Sequence, residues 1–213
     1  MKCMQYCLAI VGLITAVAFA ATNSSPINDS FTDAANWDMN PMWKLTDAGK
    51  MMGTSKVRSI LELKNKIQTK DVTFEAQITP LEAQTQGWKT CGIGIYTDNK
   101  NYWALNLVER PDESNKTHFV ELKEMKDGKW GIDEKHNKVI LHKSGFDWQY
   151  NTTYSMKLTL NATHIIGSVA DEAGKEVASF KVQFIGDTPP AGSPILRITS
   201  IQCEYDNAVI DWK

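Results

Sequence analysis

The stretch CGIGIYTDNKNYWALNL, residues Cys91 to Leu107, decides the fold class because its apolar residues recur at every second position. Successive side chains of a β-strand point to opposite faces, so this alternation is typical of strands with one buried and one solvated face. The apolar set is Cys91, Ile93, Ile95, Trp103, Leu105 and Leu107, and the opposite set is Gly92, Gly94, Tyr96, Tyr102, Ala104 and Asn106. The stretch therefore predicts two strands that each cover a hydrophobic core.

The same period of two continues on both sides of this stretch. Further alternating segments lie at 72–79, 117–125, 154–160, 164–171, 176–184, 195–201 and 204–212. We count about twelve short strands with turn residues between them, and we expect helix to be minor. Roughly 180 residues of this pattern are typical of a sandwich larger than an immunoglobulin domain. The sequence therefore predicts an all-β fold, an antiparallel two-sheet jelly-roll sandwich.

The N-terminal segment has the pattern of a secretory signal peptide. Lys2 precedes a mostly apolar run from Leu8 to Phe19, which closes on Ala18-Phe19-Ala20. This run is shorter than the roughly 20 apolar residues that a membrane helix needs, and no later stretch could span a bilayer. We therefore predict a secreted protein, periplasmic or extracellular, with a signal peptide over 1–20, a disordered leader over 21–30 and one β-sandwich domain over 31–213.

The charge balance excludes two classes of partner. The chain has 23 basic and 25 acidic residues, and Lys2 is lost with the signal peptide, so the mature protein is mildly acidic. Nucleic acids and anionic membrane surfaces attract basic proteins instead. We predict neither as a partner.

Two cysteines are candidates for a disulfide, and three aspartates are candidates for a structural calcium site. In an exported protein Cys91 and Cys203 can form one long-loop disulfide, worth about 4 kcal/mol, and two buried thiols are the alternative. No Cys/His cluster is present to suggest zinc. Asp33, Asp206 and Asp211 offer oxygen ligands near both chain ends. The cofactor prediction is none, with a structural calcium on these aspartates as the alternative.

Five segments together resemble concanavalin A-like lectin/glucanase domains of the laminin G type. They are FTDAANW at 31–37, PMWKLTDAGKM at 41–51, DVTFEAQI at 71–78, CGIGIYTDNKNYWALNL at 91–107 and LRITSIQCEYDNAVIDW at 196–212. The resemblance covers residues 31–213 and implies the jelly-roll fold. Similar domains accompany carbohydrate processing, including those of the 3-keto-disaccharide hydrolase family, so the resemblance also implies a carbohydrate ligand.

The sequence favours binding over catalysis. Laminarinase-type glycosidases on this fold carry E-x-D-x-x-E on one strand, which places two carboxylates at the spacing that retention needs. The nearest fragment, Glu204-Tyr205-Asp206, continues with Asn207 and Ala208 and lacks the third carboxylate. We predict a non-catalytic protein. The alternative is a hydrolase of the 3-keto-disaccharide hydrolase type that uses Glu75 and Glu121 as acid and base.

A ligand-binding face is predicted on the polar side of the main sheet. If the strands around 72–79, 91–107 and 117–125 are neighbours, aromatic, amide and charged side chains share one face, where rings stack on sugars and polar groups bind hydroxyls. Gly92 and Gly94 would let a ligand approach the backbone. A solvated face with cross-strand ion pairs is the alternative. The ligand-binding candidates on this face are Gln77, Tyr96, Tyr102, Asn106 and Lys123.

Six of the seven tryptophans divide into two groups. Trp88, in the polar segment QTQGWKT, and Trp130, after Asp127-Gly128-Lys129, are predicted to be exposed at loop tips. An exposed tryptophan is a stacking platform for a sugar, and an anchor folded over the sheet is the alternative. The predicted core tryptophans are Trp37, Trp43, Trp103 and Trp212. The function predicted from all these features is glycan binding by a secreted sandwich, with a hydrolase or a structural, protein-binding envelope module as alternatives.

Overall fold

The computed structural model describes residues 26–111, 117–130, 132–133, 138–139, 141–184 and 191–213, and all regular structure within them is β. The strands are β1 Ile27–Asp29, β2 Trp43–Leu45, β3 Met51–Glu62, β4 Val72–Ala83, β5 Lys89–Asp98, β6 Asn101–Arg110, β7 Thr117–Lys126, β8 Lys129–Trp130, β9 Ile132–Asp133, β10 Lys138–Val139, β11 Leu141–Ser144, β12 Tyr154–Leu160, β13 His164–Ala170, β14 Glu176–Gln183 and β15 Ser193–Trp212. In these ranges no helix has the length and apolar character needed to cross a membrane.

The last strand joins the two sheets of the sandwich. The hydrogen-bonded order is β11-β7-β6-β5-β15-β4-β12-β13-β14, and every pairing is antiparallel. The first part of β15, up to Thr199, pairs with β5, and the part from Ile201 onward pairs with β4. Between them Ser200 has a left-handed φ of 54°. This bulge divides the path into sheet A, β11-β7-β6-β5-β15, and sheet B, β15-β4-β12-β13-β14.

The two sheets enclose one hydrophobic core. The apolar set predicted from the alternation of β5 and β6 faces inward and is buried, with its largest side chain, Trp103, only 1% exposed. Burial of each such side chain stabilises the fold by about 1.5–3 kcal/mol. Trp37 and Trp43 are also buried as predicted, whereas Trp212 is only partly buried. The predicted all-β, antiparallel jelly-roll sandwich is therefore confirmed.

The ordered domain begins earlier than the sequence predicted. Residues 27–29 form β1, which pairs with Ala208–Ile210 of β15, so the prediction of a disordered leader over 21–30 is wrong there. Hydrogen bonds to Asp29 explain why this segment is ordered. Its carboxylate accepts hydrogen bonds from the backbone N–H of Phe31 at 2.7 Å and from the Trp37 indole at 2.8 Å. The predicted signal peptide lies outside the described residues.

Cys91 and Cys203 are both buried in the core as free thiols, the alternative that the sequence left open, and they form no disulfide in the structure. Burial raises the pKa of Cys203 well above its ordinary value, and a hydrogen bond with Cys91 adds to the shift. A thiol of raised pKa carries little of the reactive thiolate near neutral pH.

We expect both thiols to resist alkylation in the folded protein. Iodoacetamide at pH 8 should modify Cys91 and Cys203 more than about 100-fold slower than it modifies the unfolded chain, as read at each cysteine by peptide mass spectrometry. Unfolding in denaturant without reductant serves as the control and should expose both thiols. Fast labelling of the folded protein would contradict their burial. Labelling that needs reductant even after unfolding would show that they form a disulfide.

Candidate functional site

The side of sheet A that points away from the core, here called the outer face, carries a cross-strand row of polar residues. Arg197 of β15, Gly92 of β5, Asn106 of β6 and Glu121 of β7 lie directly opposite one another in register. Asn106, Arg197 and Glu121 are 0%, 4% and 6% exposed. An ordinary solvated sheet surface would leave such side chains in water. This face therefore differs from the alternative prediction of a solvated face with cross-strand ion pairs.

Arg197 is the centre of this row. Its Nη1 donates to Thr90 Oγ1 and to Asn106 Oδ1, both at 2.9 Å. The Asn106 amide in turn donates to Glu121 Oε1 at 3.5 Å. The guanidinium carbon lies 5.5 Å from the ring centre of Trp130. Two neutral acceptors therefore fix one end of the guanidinium, while an aromatic ring covers it.

An aromatic cluster closes one end of the outer face. The rings of Tyr96 and Tyr102 are 5.9 Å apart, and Tyr102 meets Trp130 edge-on at 5.6 Å. Lys123 places its ammonium 4.1 Å from the centre of the Trp130 ring, a cation–π contact. The Tyr96 hydroxyl donates to Asn99 at 2.9 Å. Burial, together with nearby carboxylates, raises the pKa of Tyr96, so this hydroxyl stays protonated.

Both tyrosines were predicted to contact a ligand, but they are 8% and 1% exposed. The Tyr102 hydroxyl also accepts a hydrogen bond from Arg58 Nη1 at 3.1 Å. Trp130 is partly buried rather than fully exposed, which agrees with the alternative of an anchor folded over the sheet. This end of the outer face is therefore a packed wall.

An open groove lies at the other end of the outer face. Trp88 is 49% exposed and stands edge-on to Phe119, with ring centres 6.4 Å apart. The groove has a volume of about 470 Å³. Its lining residues are Trp88, Arg110, Thr117, Phe119, Ser144 and Gly145. The exposed tryptophan predicted from the sequence thus forms one side of a cleft of sugar size.

Glu75 and Gln77 do not lie on this face. They belong to β4, which pairs with the later part of β15 in sheet B, so they point outward on the opposite side of the sandwich. Glu75 forms an ion pair with Lys157 at 2.7 Å, and Gln77 accepts a hydrogen bond from Asn207 at 2.9 Å. The prediction that Glu75 and Glu121 share one face is therefore wrong.

The two glycines of β5 do not leave room for a ligand. A Cβ on Gly92 would lie 1.9 Å from the carbonyl oxygen of Leu105, and one on Gly94 would lie 2.6 Å from that of Trp103. The neighbouring strand β6 already occupies the space. The prediction that these glycines admit a ligand to the backbone is wrong, because close strand packing requires them.

The three aspartates proposed for calcium do not form a site. Asp33 accepts a hydrogen bond from the backbone N–H of Ala35, and Asp206 accepts one from that of Asn207, both at 2.8 Å. Asp211 lies opposite Thr73 in the pairing of β15 with β4. In the part of the chain that the structure describes, no group of three or more acidic, histidine or cysteine side chains could hold a metal ion.

A buried charge network that was not predicted from the sequence lies at the edge of the core. Glu109 is 0% exposed and accepts hydrogen bonds from Lys89 Nζ at 2.6 Å and from the Tyr150 hydroxyl at 2.7 Å. His118 Nε2 lies 3.1 Å from its second oxygen. Burial raises the pKa of Glu109, but the hydrogen bonds from these three partners outweigh it and hold the pKa below its usual value.

This network attaches the segment before β12 to sheet A. His118 stacks on Trp148 at 4.0 Å and also contacts its carbonyl oxygen, and the Trp148 indole donates to the carbonyl of Val108 at 3.0 Å. One feature of the sequence indicates this buried charge network. Lys89 and Glu109 occupy inward positions of their alternating strands, where a charged residue needs a buried partner.

Comparisons with known proteins agree at the level of the fold. No family model and no curated protein matches the sequence. The carbohydrate binding module CBM66 from Bacillus subtilis superposes with a TM-score of 0.59 at 15% identity, over 83% of this chain and 96% of that chain. The VIP36 exoplasmic/lumenal domain, in its Ca²⁺/Man3GlcNAc-bound form, gives 0.63 at 10% identity over 87% of both chains.

A xylan β-1,4-xylosidase from Bacillus halodurans gives a TM-score of 0.60 at 12% identity, over 88% of this chain and 39% of that chain. At these identities the shared property is the fold. The comparisons therefore confirm the predicted likeness to concanavalin A-like lectin domains. The resemblance to the 3-keto-disaccharide hydrolase family stays a prediction.

Proposed function

We propose that this protein is an exported carbohydrate-binding module that binds glycan along the outer face of sheet A without catalysing a reaction. The observation that carries the proposal is the open groove in which Trp88, 49% exposed, stands beside Phe119. A large exposed aromatic ring is costly in water and marks a binding surface. Its apolar face suits the C–H face of a sugar ring.

The polar lining of the groove supports the same ligand class. Arg110 donates hydrogen bonds, and the hydroxyls of Thr117 and Ser144 both donate and accept them. This combination suits the hydroxyl groups of a sugar. Two structures that share the fold are a carbohydrate binding module and a domain in a Man3GlcNAc-bound form, which adds support at the level of architecture.

The placement of the carboxylates favours binding over hydrolysis. Glu75 lies on the far side of the sandwich in an exposed ion pair, so it cannot act with Glu121 on one glycosidic bond. A glycosidase needs its two carboxyl groups within about 10 Å of each other across the bond. The alternative of a hydrolase based on these two residues is therefore not retained.

Removal of the Trp88 ring should abolish most of the binding. The wild-type protein should bind a glycan saturably on an array of immobilised polysaccharides, with a change in tryptophan fluorescence. Trp88→Ala should lower the affinity at least about 10-fold, because an aromatic anchor commonly supplies much of a binding energy. Its thermal stability should change little, since the side chain is half exposed.

Val57→Ala is the matched control, because Val57 is 65% exposed and lies on β3, away from the groove. This variant should bind like the wild type. Wild-type affinity in Trp88→Ala would place the ligand elsewhere. An array without any signal, together with a co-purifying protein, would replace the proposal by the protein-binding alternative.

A further inference from the structure

We propose that the glycan carries an anionic group, a carboxylate or a sulfate, and that Arg197 binds this group through its Nε and Nη2 atoms. The inference rests on the proposed function and specifies the class of ligand.

Among the described residues, only one end of the Arg197 guanidinium has hydrogen-bond partners. Nη1 donates to Thr90 Oγ1 and Asn106 Oδ1, which fixes the plane of the group. Nε is buried without a hydrogen-bond partner, and Nη2 has no acceptor among the residues that the structure describes. Nε and Nη2 form the side of the fork that matches the two oxygens of a carboxylate or sulfate.

Among the residues that the structure describes, no carboxylate directly contacts the Arg197 guanidinium. The residue is only 4% exposed. The nearest acid of its cross-strand row, Glu121, is reached only through Asn106. A buried charge without a counterion costs free energy, so a fold that keeps one needs a reason.

A second unpartnered group lies on the same strand and the same face. Thr199, two residues after Arg197 on β15, has a buried hydroxyl oxygen with no hydrogen-bond partner. Two polar atoms on the same face of β15, from residues two positions apart, therefore lack hydrogen-bond partners. A hydroxyl of the same sugar residue that presents its anionic group to Arg197 would satisfy Thr199.

A neutral sugar fits this arrangement less well than an anionic one. Two vicinal hydroxyls could accept hydrogen bonds from Nε and Nη2, but they would bring no negative charge to the guanidinium. An oxyanion supplies both the acceptors and the counter-charge. The Trp130 ring, 5.5 Å from the guanidinium, shields the pair from water, which strengthens it.

Matched pairs of oligosaccharides test the inference. Calorimetric titration compares trigalacturonic acid with its methyl ester, and a sulfated galactose disaccharide with its desulfated form, so the two pairs separate a carboxylate from a sulfate. We expect one acidic member to bind about 10- to 100-fold more tightly than its neutral counterpart, the range expected for hydrogen bonds to a charged group.

Three variants attribute the preference to Arg197. Arg197→Gln should abolish the preference for the acidic member. Arg197→Lys should lose most of it, since lysine keeps the charge but not the fork. Lys181→Gln, which removes an exposed cation from sheet B, is the control and should leave it unchanged. Circular dichroism checks that each variant is folded. The comparison of acidic with neutral oligosaccharides on the wild-type protein tests the inference even if a variant fails to fold.

The outcomes separate this inference from the proposed function. Equal affinity of the wild type for acidic and neutral members, or binding only to neutral glycans on the array, would overturn the inference and leave the proposed function intact. An undiminished preference in folded Arg197→Gln would also overturn it. A wild-type protein that binds no glycan would overturn both.

Discussion

Substitution of Glu109 by alanine is expected to lower the free energy of unfolding by about 3–5 kcal/mol, because it leaves Lys89 as a buried, unpaired cation. Lys89 is 2% exposed and its ammonium lies 2.6 Å from Glu109 Oε1. The same carboxylate accepts the Tyr150 hydroxyl and contacts His118, so the variant removes the acceptor of three groups together. Urea denaturation followed by tryptophan fluorescence measures the loss.

Glu75→Ala is the matched control for this variant. It also removes a glutamate from an ion pair, but Glu75 and Lys157 have side chains 45% and 51% exposed. Exposed pairs contribute about 0–1 kcal/mol, since water solvates the charges that remain. A loss in Glu109→Ala no larger than in Glu75→Ala would show that the buried network does not hold the 145–150 segment against sheet A.

The pH dependence of stability gives a second test of the same carboxylate. The pKa of Glu109 in the folded protein lies below its ordinary value of 4.5, so the group stabilises the fold above about pH 4.5. That contribution is lost as the pH falls through the lowered pKa. The Glu109→Gln variant lacks this stabilising contribution at every pH, because its side chain does not ionise. The stability difference between wild type and Glu109→Gln should therefore shrink below pH 4.5, and a constant difference would contradict the assignment.

The alternation of single strands was sufficient to predict the fold class. Side chains two apart on one strand share a face whatever the partner strand is, so the inward set of β5 and β6 followed from the sequence directly. The number of strands then required two layers. The first inference uses only the alternation within each strand, and the second uses only the number of strands. The structure confirms both.

The partners of each strand could not be predicted in this way. Residues 195–201 and 204–212 predict two strands, but the structure has one strand, β15, that serves both sheets and bends at Ser200. Because a serine rather than a glycine adopts the positive φ, the sequence gives no sign of the bend. The placement of Glu75 depends on it, since β4 pairs with β15 beyond that point.

The candidate site was predicted in part for a similar reason. Trp88 was identified as exposed because its local segment is polar, and the structure places it at 49% exposure. Arg197 was not identified, because an arginine on an outward position of a strand normally reaches water. Its side chain contacts Trp130 and Asn106 on other strands, and no local pattern reveals those contacts.

Gly92→Ala is expected to destabilise the fold by about 3 kcal/mol or more, at the upper end of the range for overpacking. The added Cβ would lie 1.9 Å from the Leu105 carbonyl oxygen and 2.9 Å from the Asn106 Cα. Both atoms are backbone of the adjacent central strand, so no side-chain rotation can relieve the contact. Gly92 does not have a positive φ, which means that the requirement is for space.

Gly145→Ala is the matched control, because a Cβ at that position meets nothing within 4 Å. Differential scanning fluorimetry should show a decrease in Tm of about 6–12 °C for Gly92→Ala and almost none for the control. A Gly92→Ala variant within 2 °C of the wild type would show that β5 and β6 can separate at this point. Such freedom would contradict a row in which Arg197 reaches Asn106 across Gly92, since that contact depends on the fixed spacing of the two strands.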